Sequence, residues 1–562
     1  MVLAGFVLLC VAIFLPADLH PTTVLIGATT ADNSQHAWFL RWLPYALATH
    51  RNPLFSTSVI GADGVNLMWN TWIPLPALVL SPVTLLAGPV AAFDLAVTLG
   101  VALSGWSMYL AASRLVRRTS AAVLAGAAYG FSPFLFDQSY TGHSNLVVAV
   151  VPPLLLLSLH TILARQDLSA RRAGLALGGL LVAQFYITEE LLASELLMAL
   201  IGAVGVAVIA RSEVALRWRH VARAAAWALA LFIPLTIYPL WFQFLGPQVP
   251  RAVLADRNFF VTDLLNIVLP STAQGVEPPF AAAVAAHYTG NSGEWGGYVG
   301  IPMLAVVGWT LWHQWHRSLV RVLGATAGAA LLLSLGASLH VGGADTHVPL
   351  PGAMLAHLPV LDDLVAARFA VYVALACALL LGIFVDGLPR TRWGLRTCIG
   401  ACVLVSASYL PPLPFPSRSV PTPAYFTASP SSSTAATVAL VVPFSHDFDS
   451  TEAMLWQAQS GMAFSMPEGY IINRQPTGLA GQGPPPSVTG RALAGVAAGR
   501  GGALTPSLRA AVLLELRRWG IGVVVLGPSD HRGALRTFLS ALLGAPPVDR
   551  AGVSLWARVP PP

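Results

Sequence analysis

No lysine occurs anywhere in the 562 residues, so each of the 31 positions counted as Lys or Arg is arginine. A Walker-type phosphate loop, a Schiff-base lysine and a lysine general base are excluded at once. Charge of either sign is scarce, at 10% of residues, against 55% hydrophobic residues and a mean hydropathy of +0.67. An ordinary soluble domain of this length does not have that balance, and a bilayer is its natural solvent. Cysteine is nearly absent. Cys10, Cys377, Cys398 and Cys402 all fall in apolar segments, which argues for buried thiols rather than a disulfide framework. Cys398 and Cys402 stand at helical spacing without the His or Cys company of a metal site. The formal charge of +6 calls for no nucleic-acid partner, because the arginines gather where helix-flanking loops would face the cytoplasm.

Apolar runs recur through the first 410 residues, and arginines punctuate them at Arg114, Arg117 and Arg118; at Arg165, Arg171 and Arg172; at Arg211, Arg217, Arg219 and Arg223; at Arg317 and Arg321; and at Arg390, Arg392 and Arg396. By the positive-inside rule all five clusters are cytoplasmic. Pairs of apolar segments between them go out and return, and a last one crosses outward before residue 410. The expectation is a polytopic α-helical protein of the cell membrane with about eleven spanning helices, its N-terminus cytoplasmic and its C-terminal part extracytoplasmic. Residues 1–16, without a basic leader region, read as a retained anchor. The count works only if 70–88, with Pro74, Pro76 and Pro82, is an interfacial or re-entrant segment that does not cross.

The expected external loops, 17–69, 137–145, 246–297 and 339–368, are long where the cytoplasmic ones are short, and long loops in compact proteins are commonly functional. In the first, Asp32 precedes Trp38, Trp42 and Tyr45 at helical spacing, a stripe that reads as a helix lying at the membrane interface. Asp32 is then either that helix's N-cap or a carboxylate facing a lipid-borne substrate. The second loop holds Asp137, Gln138, His143 and Asn145, a solvated turn or a site wall. Glu189, Glu190 and Glu195 enter the next span without a nearby arginine, and intramembrane carboxylates mark function by default. Glu189 would otherwise cap its helix. The third loop carries Arg257 and then Glu294 and Trp295 among glycines that permit a sharp re-entry. In the fourth, His340, His347 and His357 lack metal-like spacing and read as solvated. Arg368 opens a helix end, suited to an anionic phosphate or to snorkelling.

These features together resemble the GT-C superfamily, multispanning glycosyltransferases that take a sugar from a polyprenyl-phosphate carrier on the external face. The resemblance covers most of residues 1–410. It rests on the Asp32-bearing first loop, the stretch 66–82, the Gly142-His143-Ser144-Asn145-Leu146 turn, the Gly296-Gly297-Tyr298-Val299-Gly300 re-entry and the Ala367-Arg368-Phe369 helix start. It implies that Asp32 acts as general base or orients the acceptor hydroxyl, with inversion at the anomeric carbon. His143, Glu189 and Glu190 join it as catalytic candidates. Asp137, Asn145, Arg257, Glu294 and Arg368 are the substrate-binding ones, with Arg368 first and Arg257 second for the donor phosphate. Asp32, with Asp137, would also hold a divalent cation (Mg or Mn). Many members carry an acidic pair in the second external loop, where this chain offers Asp137 and His143, so the metal is left open. The implied partners are a polyprenyl-phosphate-linked sugar, a cell-envelope glycan, lipid or protein acceptor, and the bilayer. The competing reading is a transporter or lipid-handling protein, against which no internal repeat is visible.

After a Pro/Ser-rich linker, 411–433, residues 434–562 read as a small extracytoplasmic α/β domain. Strands are expected at 437–442, 521–526 and around 553–558, with helices at 451–460, 508–519 and about 532–543. The Gly- and Pro-rich middle, 476–502, reads as a flexible loop.

Overall fold

The computed structural model describes residues 1–562 except 29–30, 210, 252–257, 359, 429–436, 446–450, 502, 558 and 560–562, and the backbone alone for 211–216. Each apolar segment of the first 410 residues carries a helix. Among the described residues, six are long and apolar enough to cross a membrane: Pro89–Ser113, Thr119–Thr141, Ser144–Arg165, Glu189–Ile209, Arg217–Leu245 and Ala366–Gly387. Val2–Ile13 and Ser318–Ser334 are apolar but shorter. Six, rather than about eleven, therefore meet the requirement of length and composition. Ala366–Gly387 is the pillar of the bundle: apolar all round, it is buried over most of its length, as such a helix must be.

The arginine clusters share one end of this bundle. Asp386 accepts from the Arg117 and Arg118 amides at 3.1 and 2.9 Å, and the Arg118 guanidinium donates to the Leu388 carbonyl, which brings the first cluster to the fifth. Gln314 bonds both Arg317 and the Ile383 carbonyl, adding the fourth. Arg217 donates to the Leu163 and Ala164 carbonyls, joining the third cluster to the second. Thr141 and Ser144, Ile187 and Glu189, and Ala366 sit at the opposite ends of helices that leave these clusters.

The 70–88 segment is two helices of 6 and 7 residues, Pro74–Val79 and Ser81–Ala87, each opened by proline in its first turn and broken at Leu80. At 1.5 Å per residue neither approaches the roughly 30 Å of a bilayer core.

The helix Ala31–Ala48 departs from its expected setting. Trp38 and Trp42 are fully buried and stacked, 5.4 Å apart, and Trp38 Nε1 donates to Gln457 Oε1 at 2.6 Å. The aromatic stripe faces protein, not the lipid interface. Its cover comes from the C-terminal residues, whose Glu452–Gln459 helix packs on it, while Gln35 Nε2 donates to the Tyr470 carbonyl. Sequence alone gave no sign of that cover, because the partner lies some 400 residues away.

The C-terminal residues contain a four-stranded sheet. Strand Val438–Val442 pairs in parallel with Ile521–Leu526, which pairs antiparallel with Val553–Trp556, and Val548–Arg550 closes the far edge. Helices Glu452–Gln459, Pro506–Arg518 and Arg532–Leu543 stand where the periodicity puts them. The 476–502 stretch is a correction. Ala480–Gln482 forms a hairpin with Ile472–Arg474, and Ser487 caps a helix at Val488–Ala497, accepting from the Gly490 amide at 2.9 Å. That cap is what the glycine count concealed.

One buried acid is expected to make the stability of this region depend on pH. Glu468 is fully buried, with one oxygen accepting from the Val441 amide at 2.9 Å and the other without a partner among the described residues. Burial pushes its carboxyl from 4.5 up to about 8. The folded chain then holds this proton where the unfolded chain has lost it, so stability falls as pH rises across that interval. In thermal unfolding at a series of pH values, Glu468→Gln is expected to gain on the wild type progressively from about pH 5 to about pH 8. An equal difference at both ends would contradict the assignment.

Candidate active site

The site lies at the helix ends opposite the arginines and begins with a close approach of two loops. Helix Pro133–Thr141, capped by Ser132, ends at Gly142 in a left-handed turn with φ +88°. A Cβ there would stand 2.1 Å from Asn33 Oδ1, so this position admits only glycine. The turn thereby seats the start of Ala31–Ala48 against His143.

Asp32 lies in the first turn of its helix, and its Oδ2 stands 3.3 Å from His143 Nε2. The other ring nitrogen of His143 contacts Gln138 Oε1 at 2.6 Å, and the Gln138 amide is oriented by donating to the Gly293 carbonyl at 2.7 Å. Both ring nitrogens thus face acceptor oxygens, and the Asp32 carboxylate accepts a hydrogen bond from His143. Burial raises the Asp32 carboxyl, but the His143 hydrogen bond and the charges of His143 and Arg368 outweigh it, holding Asp32 below its usual 3.8. His143 occupies a helix N-cap position, yet its side chain makes no capping bond.

His36, one turn beyond Asp32, was not among the sequence candidates. It is fully buried, with Nδ1 2.7 Å from Ser144 Oγ, and burial lowers it to about 3. A neutral imidazole beside Asp32 is the result. The i, i+4 spacing of Asp32 and His36 was the available signal.

The second half of the site is built on Arg368. Its guanidinium donates to Glu190 and, through Nε and Nη2, to Glu294 Oε1 at 3.0 and 2.7 Å. With 16% of the side chain exposed, Arg368 is enclosed in ion pairs rather than snorkelling. Glu190 spans two donors, its other oxygen accepting from the Val365 amide at 3.1 Å. Glu294 is buried, and its Oε2 has no partner among the described residues. The loop that carries it packs against Pro133–Thr141, where a Cβ at Gly293 would meet Thr141 at 2.7 Å and one at Gly296 would meet Asp137 at 3.1 Å. These glycines permit close approach, and the tight turn falls instead at Gly300, with φ +77°.

The remaining candidates divide. Asp137 is fully buried near Glu294; the Trp295 and Gly296 amides face it, but neither carboxyl oxygen makes a well-formed hydrogen bond. Asn145 is buried with Oδ1 unpartnered. Glu189 turns the other way, to the Gln243 side chain, and stands apart from the Arg368 cluster. Arg257 lies outside the described residues. His340, expected in solvent, is buried between Asn258 Nδ2 at 2.9 Å and Thr289 Oγ1 at 3.1 Å, because the hairpin Ser338–Val341 and Ala344–Pro349 folds it inward.

Among the described residues, no three His, Cys, Asp or Glu side chains converge to hold a metal ion. Asp32 is engaged by His143, and Asp137 stands beside Glu294. The donors available to an anion are cationic or N–H groups. Among the described residues, then, no set of three such ligands is assembled for Mg or Mn.

No protein-family description and no curated protein sequence matches the chain. Solved structures do. The arabinofuranosyltransferase AftD from Mycobacteria aligns over 99% of this chain and 39% of its own, at 14% identity and a TM-score of 0.54. The oligosaccharyltransferase of Archaeoglobus fulgidus aligns over 93% of this chain and 69% of its own, at 13% identity and a TM-score of 0.47. ArnT from Cupriavidus metallidurans aligns over 72% and 64%, at 16% identity and a TM-score of 0.39. The AftD likeness shows a shared fold over about two fifths of AftD; the other two superpose too loosely to carry an argument.

Proposed function

We propose that the protein is an inverting glycosyltransferase of the cell membrane, moving a sugar from a polyprenyl-phosphate donor to a cell-envelope glycan, lipid or protein acceptor on the external face. The observation that carries this reading is the convergence of Asp32–His143 and Glu190–Arg368–Glu294 at the bundle end opposite the arginine clusters. Scattered positions would have favoured the transporter reading. In the proposed reaction the acceptor hydroxyl oxygen attacks the anomeric carbon and gives its proton to Asp32. The bond from that carbon to the phosphate oxygen breaks, and polyprenyl phosphate leaves with its charge against Arg368. His143, held by Gln138, keeps the Asp32 carboxylate oriented. Glu294 and Glu190 set the charge around Arg368, and Asp137 stands beside Glu294.

The positive-inside rule supports a cytoplasmic N-terminus and an extracytoplasmic site and C-terminal domain. The covering of Ala31–Ala48 by that domain supports a role in acceptor binding or in closing the site. Hexosyl and pentosyl donors both fit the reading, and an arabinofuranosyl donor is the first to assay given the fold of AftD. The test is transfer of a labelled sugar from its polyprenyl phosphate to an envelope extract by the purified chain in vesicles, with the product's anomeric configuration read by NMR. Transfer with inversion is expected. Transport of the lipid or sugar without a new glycosidic bond would overturn the proposal.

A further inference from the structure

Arg368 is the natural anion-binding group of the site, yet both faces of its guanidinium are already occupied by carboxylates. The two partners are not equivalent. Glu294 is 3% exposed in its side chain and sits behind the guanidinium; Glu190 is 23% exposed and lines a small cavity with Arg368. The other walls of the cavity include Leu146, Leu191, Leu364 and Phe369. As it stands there is room for about one water molecule. An anionic headgroup fits only when a side chain gives way, and Glu190 is the one that can turn to water.

The grip on Glu190 is that of a phosphate. Its two oxygens bridge Arg368 Nη1 and the Val365 amide, a guanidinium and a backbone N–H set side by side. Two oxygens of a phosphate would take the same pair of donors. A phosphodiester linking lipid to sugar carries one negative charge, so its exchange for Glu190 leaves the net charge at Arg368 unchanged. Loss of Glu294 would instead leave a bare carboxylate in the interior, which is costly.

We propose that Glu190 is an internal stand-in for the donor phosphate: it occupies Arg368 and the Val365 amide in the empty site and is displaced when a lipid-linked phosphate binds. The inference rests on the lipid-phosphate reading above and adds to it a built-in competitor. Glu190 sets donor affinity, keeps Arg368 in place between turnovers, and competes with the polyprenyl phosphate product, helping its release.

The test uses the full chain in nanodiscs titrated with decaprenyl phosphate, and separately with inorganic phosphate. Glu190→Gln keeps an oxygen for the Val365 amide and removes the competing charge, so its affinity for decaprenyl phosphate should rise about tenfold, the equivalent of roughly 1.4 kcal/mol. Glu190→Asp, too short to bridge both donors, should give a smaller gain and serves where the Gln variant unfolds. Arg368→Gln should lose binding. Inorganic phosphate should bind at least a hundredfold more weakly than the lipid, since the apolar walls then contribute nothing; equal binding would mark a free-phosphate site and overturn the lipid part of the inference. Unchanged or weaker lipid affinity in both Glu190 variants, with binding still lost in Arg368→Gln, would overturn the displacement while leaving the donor reading intact. Absence of lipid binding in the wild type and all variants would overturn the donor reading itself.

Discussion

Asp32→Asn is expected to lower the turnover of sugar transfer by about a thousandfold, within the 10²–10⁴ range that a positioned general base contributes. The substitution is nearly isosteric, so the helix start and the seat of Gly142 on Asn33 are preserved. What it removes is the negative charge that His143, His36 and Arg368 surround. Two features should separate this effect from misfolding. Expression should match the wild type, thermal unfolding should fall only by the lost Asp32–His143 contact, and donor binding should persist, because Arg368 and its two glutamates are untouched. The pH dependence follows from the direction of the Asp32 shift. A carboxyl held below its ordinary 3.8 is ionised at all higher pH, so its contribution to activity and stability is present above that value and is lost as pH falls through the lower, folded one. An acid limb assigned to Asp32 near pH 6 would contradict this environment. Equal turnover in Asp32→Asn and wild type would remove Asp32 from the chemistry.

The second large effect is on stability as well as activity. Arg368→Met leaves Glu190 and Glu294 facing each other without their shared cation, and removing one member of an enclosed ion pair typically costs about 3–5 kcal/mol. Thermal unfolding in detergent should show a clear drop, and transfer should fall by about two to three orders of magnitude with the loss of charge stabilisation on the departing phosphate. Because Glu190 is part of the same cluster, the double variant Arg368→Met/Glu190→Gln should recover part of the stability and none of the activity. Such non-additivity is expected of groups in one network. A single Arg368→Met variant as stable as the wild type would mean that the guanidinium is dispensable to the fold.

Much of the fold could be read from the chain because membrane residence writes itself into composition. The scarcity of charge, the arginine clusters and the apolar runs mark where helices start and stop, and each run does carry a helix. Length is harder to read. Pro74–Val79 and Ser81–Ala87 announced themselves through proline, whereas Ile301–Gln314 and Ser318–Ser334, at 14 and 17 residues, fall short of the roughly 20 typical of a span. In the C-terminal domain, periodicity located the strands Val438–Val442 and Ile521–Leu526, but high glycine content hid the Val488–Ala497 helix behind its Ser487 cap.

The site was legible in its residue types more than in its partners. Asp32, His143, Glu190, Glu294 and Arg368 stood out as polar groups in apolar surroundings, and the structure draws them to one end of the bundle. Glu189 stood out equally and points elsewhere, since adjacent residues on a helix face different ways. Trp38 shows the opposite error. An amphipathic stripe records only that a face is apolar, and whether lipid or a distant domain covers it is settled by contacts such as Trp38 to Gln457.

The most direct test of the account is a cryo-EM structure of the protein in nanodiscs with a polyprenyl-phosphate sugar bound. The account predicts the phosphate on Arg368 and the Val365 amide, Glu190 turned away, and the anomeric carbon on the same side as Asp32 with space for an acceptor hydroxyl between them. Donor phosphate bound at the arginine-cluster end of the bundle, or with Asp32 remote from the sugar, would contradict it.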